Sequence, residues 1–139
     1  MNEKLREIAD QINYLSVKTD SVLNATVSDD GSNVKIENNN NPDVEIVLIA
    51  TENQLLSITP LFSVASVTPS RVAELDRALL AISLPMVLSS VSIQNDDRYV
   101  LFGSMAINTT IENLMYELEV QASNYDELMA ALAEFIVEA

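Results

Sequence analysis

The chain has 139 residues, 48% of them hydrophobic, with seven lysines and arginines against 21 aspartates and glutamates, a formal net charge of −14. That length suits one domain spanning residues 1–139, and the hydrophobic share is too high for a disordered chain. The charge repels nucleic-acid phosphates and anionic membranes and attracts basic protein surfaces. There is no cysteine and no histidine, which removes disulfides, thiolate nucleophiles, ordinary zinc sites and a histidine general base.

Leu5, Ile8, Ala9, Ile12 and Leu15 recur at helical spacing and predict an amphipathic helix of about four turns. From Ser21 the period shifts toward two. Strands are expected over Val22–Val27 and Val34–Glu37, joined by an Asp29-Asp30-Gly31 turn, and the run Asn38–Asn41 before Pro42 breaks the second. Val44–Ala50 is apolar except for Glu45 and reads as a central strand. Leu55–Thr59 follows, resuming after Pro60 into Leu61–Val64, and proline there marks an edge or a bulge.

Thr68-Pro69 is a helix start, with Val72, Leu75, Leu79 and Ile82 as its buried stripe and Pro85 as its stop. A strand is expected over Val87–Ile93, then an Asn95-Asp96-Asp97 turn and a returning strand over Arg98–Ala106. Tyr99, Leu101 and Gly103 fall on one face of that strand, Val100 and Phe102 on the other. Two apolar faces imply covering helices or an interface, and motivate a homodimer. Gly103 predicts a bulge or the close approach of a helix.

Thr109-x-x-Glu112 has the form of a capping box, opening a helix whose stripe is Ile111, Leu114, Met115, Leu118 and Ala122. A break near Ser123 and a new start at Asn124 are expected, with Leu128, Leu132, Phe135 and Ile136 carrying a last helix. The fold class is therefore α+β with a mainly antiparallel sheet, in the order α-β-β-β(β)-α-β-β-α(α).

Catalytic and metal chemistry has little to work with. Asp29-Asp30 and Asp96-Asp97 would supply a carboxylate-dependent metal or hydrolytic module, yet both pairs fall in expected turns and fit no calcium-loop spacing. Two glycines in the whole chain exclude a phosphate loop or a dinucleotide fingerprint. Lys4, Arg6, Lys18, Lys35, Arg71, Arg77 and Arg98 are scattered singly and build no basic patch. No catalytic, metal or cofactor residues are therefore assigned. From Thr109 to the C-terminus there are seven acids and no base. Glu112, Tyr116, Glu119, Tyr125, Asp126, Glu127 and Glu134 are the candidate protein-binding residues: acids to steer a basic partner, tyrosines to anchor it. A structural domain without catalytic role is the remaining alternative. The alternating charges of Met1–Asp10 do not resemble an export signal, so a cytoplasmic location is expected.

The ordered segments Leu84-Pro85-Met86-Val87-Leu88-Ser89-Ser90 and Tyr99-Val100-Leu101-Phe102-Gly103-Ser104 resemble the signature of the bacterial YjfI family. The resemblance extends through Pro60-Leu61-Phe62, Thr68-Pro69, Glu74–Leu80, Asn108 and Glu117-Leu118-Glu119-Val120, and departs at Val87, where the family often has a second proline. It implies a fold similar to type III secretion chaperones and YbjN-like proteins, which are small, acidic and often dimeric. It also implies a link to membrane-stress proteins of the PspA kind, making a coiled-coil protein of that kind a candidate partner. A non-enzymatic adaptor or chaperone-like regulator is the function expected.

Overall fold

A computed structural model of the chain describes residues 2–19 and 21–137. Helix α1 (Asn2–Thr19) leads into strands β1 (Leu23–Val27), β2 (Val34–Asn38), β3 (Ile46–Ala50) and β4 (Gln54–Ser63). Helix α2 (Val72–Ser83), the hairpin β5 (Ser90–Gln94) and β6 (Arg98–Ala106), and helix α3 (Ile111–Leu132) complete the α+β chain. The six strands form one sheet in the order β1-β2-β3-β4-β6-β5, every neighbouring pair antiparallel.

Alternation decides which face each strand buries. Leu23 and Ala25, Val34 and Ile36, Ile46 and Leu48, and Leu55 all turn inward onto Leu5, Ile8, Ala9 and Ile12 of α1 and onto the first half of α3. A second cluster joins Leu75 and Leu79 of α2 to Tyr99 and Leu101 of β6 and to Leu128 and Leu132 of α3. Tyr99 also donates its hydroxyl to Asp76; burial, then that carboxylate, pushes its pKa up to about 12. The opposite sheet face carries Val47, Ile49, Leu56, Ile58 and Phe102, which are half-buried and belong to neither cluster. Asn13 of α1 satisfies the free edge of β1 by bonding both the N–H and the C=O of Ala25.

Pro60 sits at the expected bulge, because β4 shifts register between Pro60 and Phe62 and lies there beyond the pairing of β3, where a missing N–H costs nothing. Other local expectations are corrected. α2 is preceded by a 3-10 turn over Pro69–Arg71, so the Thr68-Pro69 start opens that turn and the α-helix begins at Val72. The cap of α3 is Thr110, whose hydroxyl accepts from Asn113 N–H, and not Thr109. No break occurs at Ser123: α3 is continuous, since its buried stripe runs from Leu114 through Leu132 without glycine or proline. Phe135 and Ile136 lie beyond it, in a 3-10 turn and an isolated bridge to Val67. Val87–Ser89 are a loop rather than strand, and β5 starts at Ser90.

Gly103 marks the close approach of a helix. A Cβ built there would stand 2.9 Å from Ser57 Oγ and 3.1 Å from Gln121 Oε1. Gln121 is buried against the sheet, accepting from Ser57 Oγ at 2.7 Å and donating to Thr59 Oγ1 at 2.9 Å and Ser57 O at 3.3 Å. Gly103→Ala should therefore destabilise the fold by about 1–3 kcal/mol in chemical denaturation. Its cost should shrink in a Ser57→Ala background, a coupling that a double-mutant cycle measures. Additive costs would show that the methyl group is accommodated elsewhere.

Candidate protein-binding surface

The outer side of α3 follows from its inner side. With Leu114, Leu118, Gln121, Ala122, Leu128 and Leu132 buried, the helical period turns Glu112, Tyr116, Glu119, Asp126 and Glu127 to solvent. Tyr116 is 59% exposed, with Glu112 one turn before it and Glu119 one turn after. Glu112 also lies in the first turn, where a negative charge suits the helix dipole. α3 carries five acids and no base.

These acids are not equivalent. Glu134 is exposed and lies 3.4 Å from Arg71, which is itself paired with Glu74 at 3.0 Å and stacked on the Phe135 ring at 4.3 Å. The bonded Glu74 carboxylate raises the Arg71 pKa, and Arg71 holds Glu74 below its usual range. Asp126 accepts from Asn41 Nδ2, and Glu119 accepts a long 3.4 Å bond from Ser21 Oγ. Glu112 and Glu127 have no hydrogen-bond or ion-pair partner among the described residues. Glu117 is half-buried, and that burial raises its pKa. Tyr125 is half-buried between the two apolar clusters, its pKa raised by burial and then by Asp43 and Asp126. The structure thus brings Glu112, Tyr116 and Glu119 together on one open face, places Tyr125 in the packing beneath, and engages Glu134 and Asp126 locally.

A second feature lies at the C-terminal end of α2. Residues 78–94 contain no charged side chain, yet Leu80, Leu84, Val87, Leu88 and Ile93 are all exposed, Leu84 at 92%. Leu88 adopts φ 61°, a left-handed conformation that costs an L side chain roughly 1–2 kcal/mol. Asn124 holds this loop, donating to Val87 O at 2.8 Å and Ser89 Oγ at 2.9 Å. The sequence signal was the uncharged run itself; that it lies exposed depends on Asn124, distant in the chain.

One acid of each turn pair has a local role. Asp30 accepts from Ser32 N–H, Ser32 Oγ and Ser28 Oγ, and these bonds, the Ser32 N–H first, pull its pKa down to about 2. Asp96, like Asn95, takes positive φ in the β5–β6 turn. Among the described residues no group of three or more acids is arranged to hold a metal ion, and no helix is long and apolar enough to cross a membrane.

Residues 2–136 match the family described as "uncharacterized protein conserved in bacteria", DUF2170. The chain is 26% identical over 115 residues to the uncharacterized protein YjfI of Escherichia coli K12, covering 81% of this chain and 85% of that protein. Among solved structures it is similar to the HopA1–SchA chaperone–effector complex, with TM-score 0.64, 14% identity and coverage of 91% of this chain and 93% of the other. It is similar to YbjN of E. coli, a putative transcription regulator, with TM-score 0.65, 16% identity and coverage of 100% and 96%. It also resembles the type III secretion chaperone SycH of Yersinia pestis with a fragment of YscM2, with TM-score 0.56, 15% identity and coverage of 91% and 98%. At these identities the likeness is one of fold, and it agrees with the expected α+β chaperone-like architecture.

The Asp30 turn yields a pH test. Its carboxyl stays ionised in the fold below the point where the unfolded chain protonates. It therefore contributes stability above about 3.8, lost as pH falls through about 2. Asp30→Asn should lower the denaturation midpoint at pH 7, and the gap from the parent chain should close across that acid window. A gap that ignores pH would contradict the assignment.

Proposed function

The chain belongs to the DUF2170 family of proteins conserved in bacteria, and on that premise we propose that it is a non-enzymatic, protein-binding adaptor or chaperone-like regulator of the bacterial cytoplasm. It engages a basic partner surface through the outer face of α3. The observation that carries this reading is the open row of Glu112, Tyr116, Glu119 and Glu127 on a helix without a single basic residue. Two of the fold relatives support it in kind, since both were solved as chaperones with another protein chain. A coiled-coil protein of the PspA kind is the candidate partner supplied by the sequence resemblance.

Acids at the rim chiefly raise the encounter rate, each pair being worth about 0.2–1 kcal/mol, while a tyrosine that becomes buried on contact slows dissociation. Glu112→Lys, Glu119→Lys and Glu127→Lys combined should slow association with the co-purified partner several-fold at low salt and much less at high salt. Tyr116→Ala should instead speed dissociation. Stopped-flow traces that are identical for the parent and triple variant at low salt would make this face an ordinary solvated surface. A homodimer, suggested by the two apolar faces of β6, is a companion proposal. Light scattering at micromolar concentration should give twice 15.3 kDa, and the mass of one chain would remove it.

A further inference from the structure

Between the end of α2 and the second half of α3 lies a groove of ≈ 240 Å³, walled by Ile82, Met86 and Val87 on one side and Asn124, Glu127 and Leu128 on the other. It is smaller than the roughly 300–1,000 Å³ of small-molecule sites, which suits a single side chain better than a metabolite. Both amide hydrogens of Asn124 can be spent on holding Val87 O and Ser89 Oγ, so the loop wall is fixed before anything binds. The charge at the rim is then the Glu127 carboxylate, which is exposed. No basic side chain lines the groove among the described residues, and residues 78–94 supply no charge at all.

We infer that this groove is an anchor pocket for an apolar side chain that a partner protein presents beside a lysine or arginine. The inference rests on the protein-binding role proposed for α3 and adds the hold that the acids alone do not supply. Its occupant must be apolar to pair with Ile82, Val87 and Leu128, and cationic alongside to meet Glu127. An acidic segment would set like charge against Glu127 on a chain already at −14. Met86 lends the wall an unbranched, adaptable side chain that can follow anchors of different shape. Val87, at 58% exposure, widens the apolar rim over which such a segment passes.

The test uses the full chain, isotope-labelled, and three synthetic peptides of equal length, built from leucine and lysine, serine and lysine, or leucine and glutamate. The leucine–lysine peptide should bind at least tenfold more tightly than either other peptide and shift the amide signals of Val87, Asn124 and Glu127. Val87→Asp should weaken it tenfold or more and Glu127→Gln several-fold. Leu84→Ser, at a position almost fully exposed and outside the groove lining, should bind like the parent chain, and an equal loss there would overturn the groove in favour of the loop's apolar surface at large. Equal binding of the serine–lysine peptide would overturn the pocket while leaving the acidic face of α3 intact as a binding surface. Equal binding of the leucine–glutamate peptide would overturn the charge requirement. Failure of both cationic peptides would count against the proposed role of α3 itself. Concentration-dependent shifts of the same signals without peptide would overturn the inference in favour of a second copy of the chain.

Discussion

One 22-residue helix has to close two apolar clusters over a single sheet, and the seam it crosses between them is polar. At ~1.5 Å per residue α3 is about 33 Å long, enough to run past both. Its first half seals α1 and β1–β3 through Leu114, Leu118 and Ala122, and its second half meets α2 and β6 through Leu128 and Leu132. Gln121 sits between, and its three bonds to Ser57 and Thr59 satisfy polar groups that would each be costly to bury unpaired. Only a glycine at position 103 lets the helix approach that closely.

This seam sets the rotation of α3, and rotation decides what faces outward. With Gln121 pointing at Ser57, the helix has to show Glu112, Tyr116 and Glu119 to solvent and aim Asn124 at the loop after α2. The loop is thereby held with Val87 and Leu88 exposed, and the groove against Glu127 is formed by the same stroke. The end of the chain is fixed separately. Thr68 N–H bonds Phe135 O, Val137 N–H bonds Ser66 O, and Arg71 reaches Glu134 while stacking on Phe135. Arg71 is consequently engaged at the C-terminal edge of the acidic face, leaving Glu112 and Glu119 at its other end unneutralised by any base on their own helix.

Strong periodicity made much of this legible in the sequence. The stripe from Leu5 to Ile12, the strand alternation of β1 and β2, the Asp29-Asp30-Gly31 turn and the leucine spacing of α3 each repeat a short-range rule, and the structure follows them. Gly103 was legible as a close approach because a glycine inside an apolar strand has few other reasons to be there. The helix partner it admits was not, since Gln121 looks like an ordinary polar residue until Ser57 and Thr59 are set opposite. Asn124 read as a helix start because asparagine favours caps, but its amide is used across the fold on Val87 and Ser89. The same distant contact turned Val87–Ser89, β-prone by composition, into a loop. At the candidate surface, Glu112, Tyr116 and Glu119 were readable from charge and spacing. Tyr125, read with them as an anchor, is half-buried between the two apolar clusters, a placement that depends on α3 running without a break through Ser123. The groove was unreadable in principle, being made by residues from two helices and a loop.

A partner seated on the outer face of α3 brings its lysines within reach of the carboxylates there, and carbodiimide coupling in the native complex joins such pairs covalently. Peptide mapping should find the partner's lysines linked to Glu112, Glu119 and Glu127. Links concentrated on the Asp29–Asp30 or Asp96–Asp97 turns, with the acids of α3 left unmodified by the partner, would put the partner on another surface.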